Sequence, residues 1–285
     1  VDNLLFVEQI SPAEWKVQNH QMLRNLDVGS ESVPAFGDWD GDGDADLLVG
    51  NKIADDGSET ARVFAFENVG GEGEARFQAR GAIPVEGSYH FAPALGDLDG
   101  DGFAELLLGT WQDGILVYRN RGSDGTGLDR WSADPEATVS LSRGSNSVPT
   151  LGDVDGDGDL DLVSGESSGE LNLWLNVGTK SSPEFVLATD RWGEVDAGRR
   201  SAPVLADWDG DGDTDLLLGS ESEGVTLWNL EPSDGGFKLV RAAGIVPEAP
   251  TFATPAVLDM ERDGDPDLFI GGIGGGVVLF ENLVR

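Results

Sequence analysis

The 285-residue chain contains no cysteine. That absence excludes disulfides, thiol catalysis and cysteine-ligated zinc, and it leaves the compartment open. Positive charge is scarce: 18 lysines and arginines stand against 53 acids, a formal net charge of −35. No basic stripe exists to neutralise phosphates, so nucleic acid is not an expected partner. No apolar run approaches the ~18 residues of a transmembrane helix, which predicts no membrane span. The chain starts at Val1 with no signal peptide and reads as a mature or trimmed form.

Negative charge is abundant and concentrated. Five acidic loops occupy residues 38–46, 97–105, 153–161, 207–215 and 259–267, with starts 59, 56, 54 and 52 residues apart. A regular period of this length implies a repeat array. Odd-numbered loop positions carry Asp38, Asp40, Asp42, Asp44 and Asp46; Asp97, Asp99, Asp101, Phe103 and Glu105; Asp153, Asp155, Asp157, Asp159 and Asp161. The last two loops carry Asp207, Asp209, Asp211, Asp213 and Asp215; then Asp259, Glu261, Asp263, Asp265 and Asp267. All but Phe103 are acidic, so these positions hold 24 of the 53 acids and leave 29 against 18 bases. The charge belongs to the loops, and neither a halophile surface nor an acidic tail is needed to explain it.

Such a loop suits calcium, a hard cation that takes six to eight oxygens in a flexible shell. Carboxylates at positions 1, 3 and 5 converge, Gly at position 6 permits the sharp turn, the position 7 carbonyl contributes, and the acid at position 9 closes the shell. About five structural Ca²⁺ ions are expected, and they would change the net charge from −35 to −25. An EF-hand requires Glu at position 12, where this chain has Val49, Leu108, Ser164, Leu218 and Ile270. The loops run instead into apolar segments such as Asp46 to Gly50, which read as buried strands. The fifth loop departs most, with Glu261 at position 3 and Pro266 after its core.

Each repeat follows one order. A short segment around Pro34, Pro93, Pro149, Pro203 or Pro255 precedes the acidic loop. An apolar strand ending at Gly50, Gly109, Gly165, Gly219 or Gly271 follows it. A third strand carries Phe66, Tyr118, Trp174, Trp228 or Phe280, and a weaker fourth strand closes the unit. Four short antiparallel strands in ~55 residues describe a propeller blade. Stacked blades bury both faces of each sheet, which explains continuous apolar runs in place of strict alternation. The repeated aromatics are expected between blades.

The pattern Pro-x-Leu-Gly-Asp-x-Asp-Gly-Asp-Gly-x-x-Asp-Leu, then Gly, then an aromatic and Asn, resembles the FG-GAP/VCBS repeats of integrin α-subunit propellers and some fungal lectins. The resemblance covers nearly the whole chain. It implies an all-β propeller with calcium in the loop joining the first two strands of each blade. Ala206 and Leu258 replace the Gly before the loop, Asn229 follows its aromatic directly, and the first repeat has a longer turn from Asn51 to Arg62. One domain over residues 1–285, with five four-stranded blades, is expected. Propellers of this family often have seven blades, so a fragment of a larger ring stays an alternative. Pro12 to Val17 is expected to supply the missing fourth strand of blade five and close the ring, with no slot assigned to Leu4 to Val7.

Function is expected on the rim opposite the acidic loops, where the copies differ most. Glu31, His90, Asn146, Arg200 and Phe252 each lie three residues before the blade's Pro, and Ser30, Tyr89, Ser145, Arg199 and Thr251 precede them. These should ring the mouth of the central channel, with Arg143 nearby and Trp111 as a flat sugar-stacking surface. Two readings follow. In the first, the protein is an extracellular, secreted or cell-surface recognition module for a glycan or protein. It is then a monomer or one domain of a larger protein, and arginines at the mouth suit an anionic ligand. Extracellular calcium, roughly millimolar, would fill loops of this kind. In the second, the protein is a polysaccharide lyase, with Tyr89 or His90 as base and Arg199 and Arg200 holding the substrate carboxylate. Hydrolysis needs two facing carboxylates, and the sequence places only Glu31 at the mouth.

Overall fold

In each acidic loop the chain reverses within a few residues, and the backbone there requires left-handed conformations. Gly41 and Gly43 have φ of 80° and 90°, and the second, third and fourth loops repeat the pair. In the fifth loop Arg262 occupies the first of these positions at φ 56°, a conformation that side chains other than Gly adopt infrequently. The strands that flank each loop pair antiparallel, so the loop joins the first two strands of each sheet.

The computed structural model describes residues 4–11, 14–18, 28–54, 58–71, 75–87, 89–112, 114–122, 127–142, 144–179, 181–233, 236–246 and 251–282, with backbone only for 4–18, 236 and 243–246. The strands are β1 (Leu4–Ser11), β2 (Glu14–Gln18), β3 (Val33–Gly37), β4 (Asp46–Gly50), β5 (Val63–Asn68), β6 (Phe77–Ala82) and β7 (Ala92–Gly96). Next come β8 (Glu105–Gly109), β9 (Ile115–Asn120), β10 (Trp131–Ala133), β11 (Val148–Gly152), β12 (Asp161–Gly165), β13 (Leu171–Asn176) and β14 (Phe185–Thr189). The last are β15 (Ala202–Ala206), β16 (Asp215–Gly219), β17 (Val225–Ser233), β18 (Gly236–Val246), β19 (Thr254–Leu258), β20 (Asp267–Gly271) and β21 (Val277–Glu281). Helix among the described residues is limited to 3-10 turns, such as Gly127–Arg130.

The strands form five sheets: β3–β6, β7–β10, β11–β14, β15–β18, and a fifth in the order β19-β20-β21-β1-β2. This is a five-bladed β-propeller whose innermost strands carry the repeated prolines. The N-terminus does close the fifth blade, but with a different segment from the one expected. Leu4–Ser11 takes the fourth position and runs parallel to β21, from Leu4 opposite Val277 to Glu8 opposite Glu281. Glu14–Gln18 forms a fifth, outermost strand, antiparallel to β1. The segment left without a slot is therefore the closing strand. The two segments form a hairpin, so the strand adjoining β21 had to be one or the other, and the resemblance of Pro12 to Val17 to an outer strand was met one position further out.

Ring closure follows from the packing. Every second strand is fully buried, and its side chains alternate between two neighbouring blades. Leu48 packs with Leu106 and Leu108, whereas Leu47 and Val49 pack with Phe269 and Leu279 of blade five. Leu107 meets Leu162, Val163 meets Leu216, and Leu217 meets Leu268. Five inter-blade cores result, and Tyr118, Trp174 and Phe280 are buried within them, with Phe66 and Trp228 partly so.

The repeated strand-ending Gly has a specific cause. A Cβ on Gly165 would lie 2.1 Å from the Ser201 carbonyl oxygen and 2.8 Å from Cδ of Pro203 in the next blade. Gly50, Gly109, Gly219 and Gly271 make the same approach, the last to Ser32 and Pro34 of blade one. Beside each contact the blades are joined by backbone hydrogen bonds. They run from Phe91 N to Asn51 O (2.8 Å), Ser147 N to Thr110 O (3.0 Å) and Ser201 N to Glu166 O (3.1 Å). The series continues from Ala253 N to Ser220 O (3.0 Å) and Ser32 N to Gly272 O (3.0 Å).

Candidate functional site

The acidic loops share one internal geometry. The first carboxylate accepts two backbone N–H groups: Gly41 N and Gly43 N donate to Asp38 at 2.8 and 2.9 Å, and the second, third and fourth loops repeat the pattern. The acid at position 9 is buried and ties the loop to the sheet. Asp46 accepts from Trp39 N (3.4 Å) and Asn68 N (2.7 Å), Asp161 from Val154 N and Asn176 N, and Asp267 from Met260 N and Asn282 N. Burial pushes Asp46 and Asp267 up to about 8 and Glu105 to about 7, against the bonds from those amides. Neighbouring loop carboxylates push in the same direction as burial.

In every loop three carboxylates bring oxygen atoms within 4.8 Å of one another: Asp38, Asp40 and Asp42; Asp97, Asp99 and Asp101; Asp153, Asp155 and Asp161; Asp207, Asp209 and Asp215; Asp259, Asp263 and Asp265. Such groups repel unless a cation lies among them. An all-oxygen donor set on a turn fits a hard divalent ion. In the fifth loop Asp265 Oδ2 is buried without a hydrogen-bond partner, beside the Asp263 carboxylate. Glu261 stands outside that cluster and faces Asp267. Arg262 reaches across to the first loop, donating to the Gly43 carbonyl (3.2 Å) and the Asp44 carboxylate.

The Asn that follows the third-strand aromatic has a defined task. Asn68 Oδ1 accepts from Gly70 N and Arg76 N, and Asn176 Oδ1 from Gly178 N and Glu184 N, so the strand stops and turns there. In blade four Leu230 occupies that place, because Asn229 lies opposite Asp215 one position earlier. The β17–β18 ladder therefore runs on, out to Ser233 opposite Gly236.

At the opposite end, Val33, Ala92, Val148 and Ala202 at the starts of the innermost strands pack together. The five Pro strands enclose a space of about 160 Å³ along the axis. Glu31, His90, Asn146, Arg200 and Phe252 sit at the mouth, all with φ of 55–56°. The N–H of each of the first four bonds a carbonyl of the preceding blade: Glu31 to Ile273, His90 to Lys52, Asn146 to Trp111 and Arg200 to Ser167.

The side chains at the mouth engage one another. Arg200 grips Glu31 through two bonds of 3.2 and 2.5 Å and lies 3.7 Å from the Phe252 ring centroid. Lys52 adds a second cation, 2.9 Å from Glu31. Burial alone would raise the Glu31 pKa, but the bonds from Arg200 and Lys52 more than offset it and hold the carboxyl below its usual value. The Glu31 side chain is 6% exposed and that of Arg200 14%. His90 is 0% exposed, and burial, with Arg200 nearby, pushes it down to about 4. The Ser147 backbone is near enough to favour the charged form, yet neither ring nitrogen has a bond of normal geometry.

Above this layer the mouth is accessible. Trp111 is 44% exposed and packs on Tyr89 at 5.0 Å, with Lys52 Nζ 5.6 Å from the Tyr89 ring. Arg199 extends outward beside Glu221, at 3.6 Å. Glu221, held by its N–H to the Arg199 carbonyl, is a mouth acid that the sequence reading missed. Its position two residues after the strand-ending Gly, level with Lys52 and Trp111, was the available signal. Asn146 is half-buried beside Ser145, and Arg143 lies outside the described residues.

No functionally curated protein sequence matches the chain. Solved structures share the fold. A thermostable family-43 glycoside hydrolase aligns with a TM-score of 0.54 and 9% identity over 88% of each chain. The GH43_1 enzyme from Xanthomonas citri complexed with xylotriose aligns with a TM-score of 0.53 and 13% identity, over 88% of this chain and 87% of that one. The FG-GAP-like repeat matches four times in succession, over residues 38–108, 97–164, 153–218 and 207–270. With that repeat spanning most of the chain and its acidic loops in matching positions, the protein belongs to the FG-GAP-like repeat family.

Proposed function

We propose that this propeller is a calcium-stabilised recognition module that works outside the cytoplasm and binds a glycan or protein ligand at the channel mouth. The observation that carries the reading is the Trp111–Tyr89 pair. It places a partly exposed aromatic surface, with Lys52 beside it, on a rim built from inter-blade connections. Such a surface gives contact area to a sugar ring or an apolar side chain, and its rigid support limits the entropy lost on binding. Two of the four groups named for a lyase are less available for one, while Tyr89 and Arg199 stay at the mouth. His90 is sealed from solvent and Arg200 is already paired with Glu31, so the pair supports binding over catalysis. Among the described mouth residues, Arg199, 74% exposed, is the arginine available to an anionic ligand.

Calcium in the five loops fits the converging carboxylates and the raised position 9 acids, whose charged forms an ion would restore. A count of bound calcium tests that part, with about five ions per chain expected. A glycan array, followed by titration of any hit against Trp111→Ala and Arg199→Ala, tests the mouth. A hit whose affinity is unchanged in both variants would overturn the assignment.

A further inference from the structure

Between the first two blades, beside the first acidic loop and away from the mouth, lies a cavity of about 330 Å³. It is lined by Trp39, Asp40, Glu67, Arg80, Leu128 and Arg130, with Gly127 at its edge. Trp39 is buried, yet its indole N–H has no hydrogen-bond partner. Buried donors are nearly always met in folded proteins. Arg130 is fixed by bonds from Nη1 to the Trp39 carbonyl (2.9 Å) and from Nε to the Gly127 carbonyl (3.1 Å). Both acceptors are neutral, and no carboxylate pairs with Arg130 among the described residues. Arg80 and Glu67, by contrast, neutralise each other through two bonds of 2.7 Å. Asp40 is the remaining charge, and it belongs to the loop. Calcium in that loop, on which this inference rests, would engage the Asp40 carboxylate and weaken its attraction for the guanidinium of Arg130.

We propose that this cavity binds one acidic sugar residue. Arg130 and the Trp39 N–H would take the oxygens of its carboxylate or sulfate, and Leu128 supplies an apolar wall. The Glu67–Arg80 pair offers both an acceptor and donors to ring hydroxyls. The volume lies at the lower end of ligand pockets and suits a single ring. Alternating donors and acceptors round an apolar wall suit a polyhydroxylated ring better than an extended peptide.

The test is calorimetry on the full chain in calcium, with bound ions counted in the same sample. Trigalacturonic acid serves as the carboxylate probe and a sulfated heparin disaccharide as the sulfate probe. One site per chain is expected for one of the two, which assigns the anion. Leu128→Trp fills the cavity without altering the loop, so affinity should fall at least about tenfold while the melting temperature holds. Trp39→Phe keeps the ring and removes the donor, and should weaken binding by about tenfold. A full complement of five ions with neither probe bound would overturn the proposal alone, whereas an ion deficit would remove the calcium reading and this proposal with it. Unchanged affinity in Leu128→Trp, or loss confined to Trp111→Ala, would place the probe elsewhere and overturn it as well.

Discussion

Replacing Gly165 by Ala separates two effects of opposite sign. The general effect of Gly→Ala is stabilising by about 0.4–1 kcal/mol, because the unfolded chain loses freedom. The local effect is a methyl group 2.1 Å from a carbonyl oxygen and 2.6 Å from its carbon. Both are backbone atoms that cannot swing aside, so the start of blade four must retreat by about 1 Å to restore ordinary contact. That retreat stretches the bond from Ser201 N to Glu166 O (3.1 Å) and those of Ser201 Oγ with Glu166 N (2.9 Å) and Glu170 O (2.7 Å). Overpacking costs about 1–3 kcal/mol and each weakened bond about 1 kcal/mol. The local term wins, and a net loss of about 3 kcal/mol is expected. In a chain of this length that corresponds to a fall of roughly 6–12 °C in Tm, measured by near-ultraviolet circular dichroism with calcium held in excess. Gly274 has open space around its Cβ position, so Gly274→Ala should be neutral or slightly stabilising. Gly271→Ala tests closure, since its Cβ meets blade one at 2.3 Å from the Ser32 carbonyl. If Gly165→Ala melts with the parent protein, the close-approach argument is wrong. If Gly271→Ala alone is harmless, the ring is open between blades five and one.

Chelation should lower stability steeply, since each loop saturated a hundredfold above its Kd contributes about 2.7 kcal/mol. Without calcium, the raised Asp46 and Asp267 lend stability that is full below about pH 4 and lost as pH rises through about 8. The Tm gap between calcium and EGTA should therefore widen from pH 6 to pH 8.5, and a constant gap would refute it. His90 shows the opposite sign: its depressed pKa of about 4 means stability present above about pH 6.5 and lost as pH falls toward 4. His90→Asn, which tolerates the left-handed backbone, should remove about 2 kcal/mol of this acid sensitivity by pH 5, read as a smaller Tm drop between pH 7.5 and pH 5. Asn176→Leu leaves the Gly178 and Glu184 amides without their acceptor. It should cost about 2 kcal/mol by urea denaturation, and a cost near zero would show that water replaces the amide.

The repeat, the fold and the loops were legible because each depends on local residue type at a fixed spacing. Gly at positions 4 and 6 permits the turn, acids at alternate positions converge, and Pro marks the innermost strand. Strand order at the closing blade was less legible. Leu4–Ser11 and Glu14–Gln18 are both short and apolar enough to add to a sheet. Only the order of pairing with β21 distinguishes them, and pairing is a long-range property that no local pattern encodes. Leu230 in place of Asn was visible as a shifted motif. Its consequence, the extended β17–β18 hairpin, follows only once Asn is seen to stop the strand in the other blades.

The mouth shows most clearly where sequence reasoning ends. Spacing from the repeated Pro placed five residues at equivalent positions, and the structure gives them one backbone conformation, φ 55–56°. That conformation costs most residues about 1 kcal/mol or more, and for Glu31, His90, Asn146 and Arg200 the inter-blade hydrogen bonds of their N–H groups offset it. The backbone is thus repeated five times and is indifferent to side-chain chemistry, which leaves the side chains free to differ. Their differences are complementary: the carboxylate of Glu31 meets the guanidinium of Arg200, which in turn covers the ring of Phe252. Removing Glu31 would strand Arg200 in a site with little solvent, a loss of about 3–5 kcal/mol for buried pairs, whereas removing Arg200 leaves Glu31 its bond from Lys52. Arg200 is therefore committed to Glu31 and Phe252. On the proposed reading the residues that meet a ligand are those one level further out, Tyr89, Trp111 and Arg199, where the same symmetric frame holds an asymmetric surface.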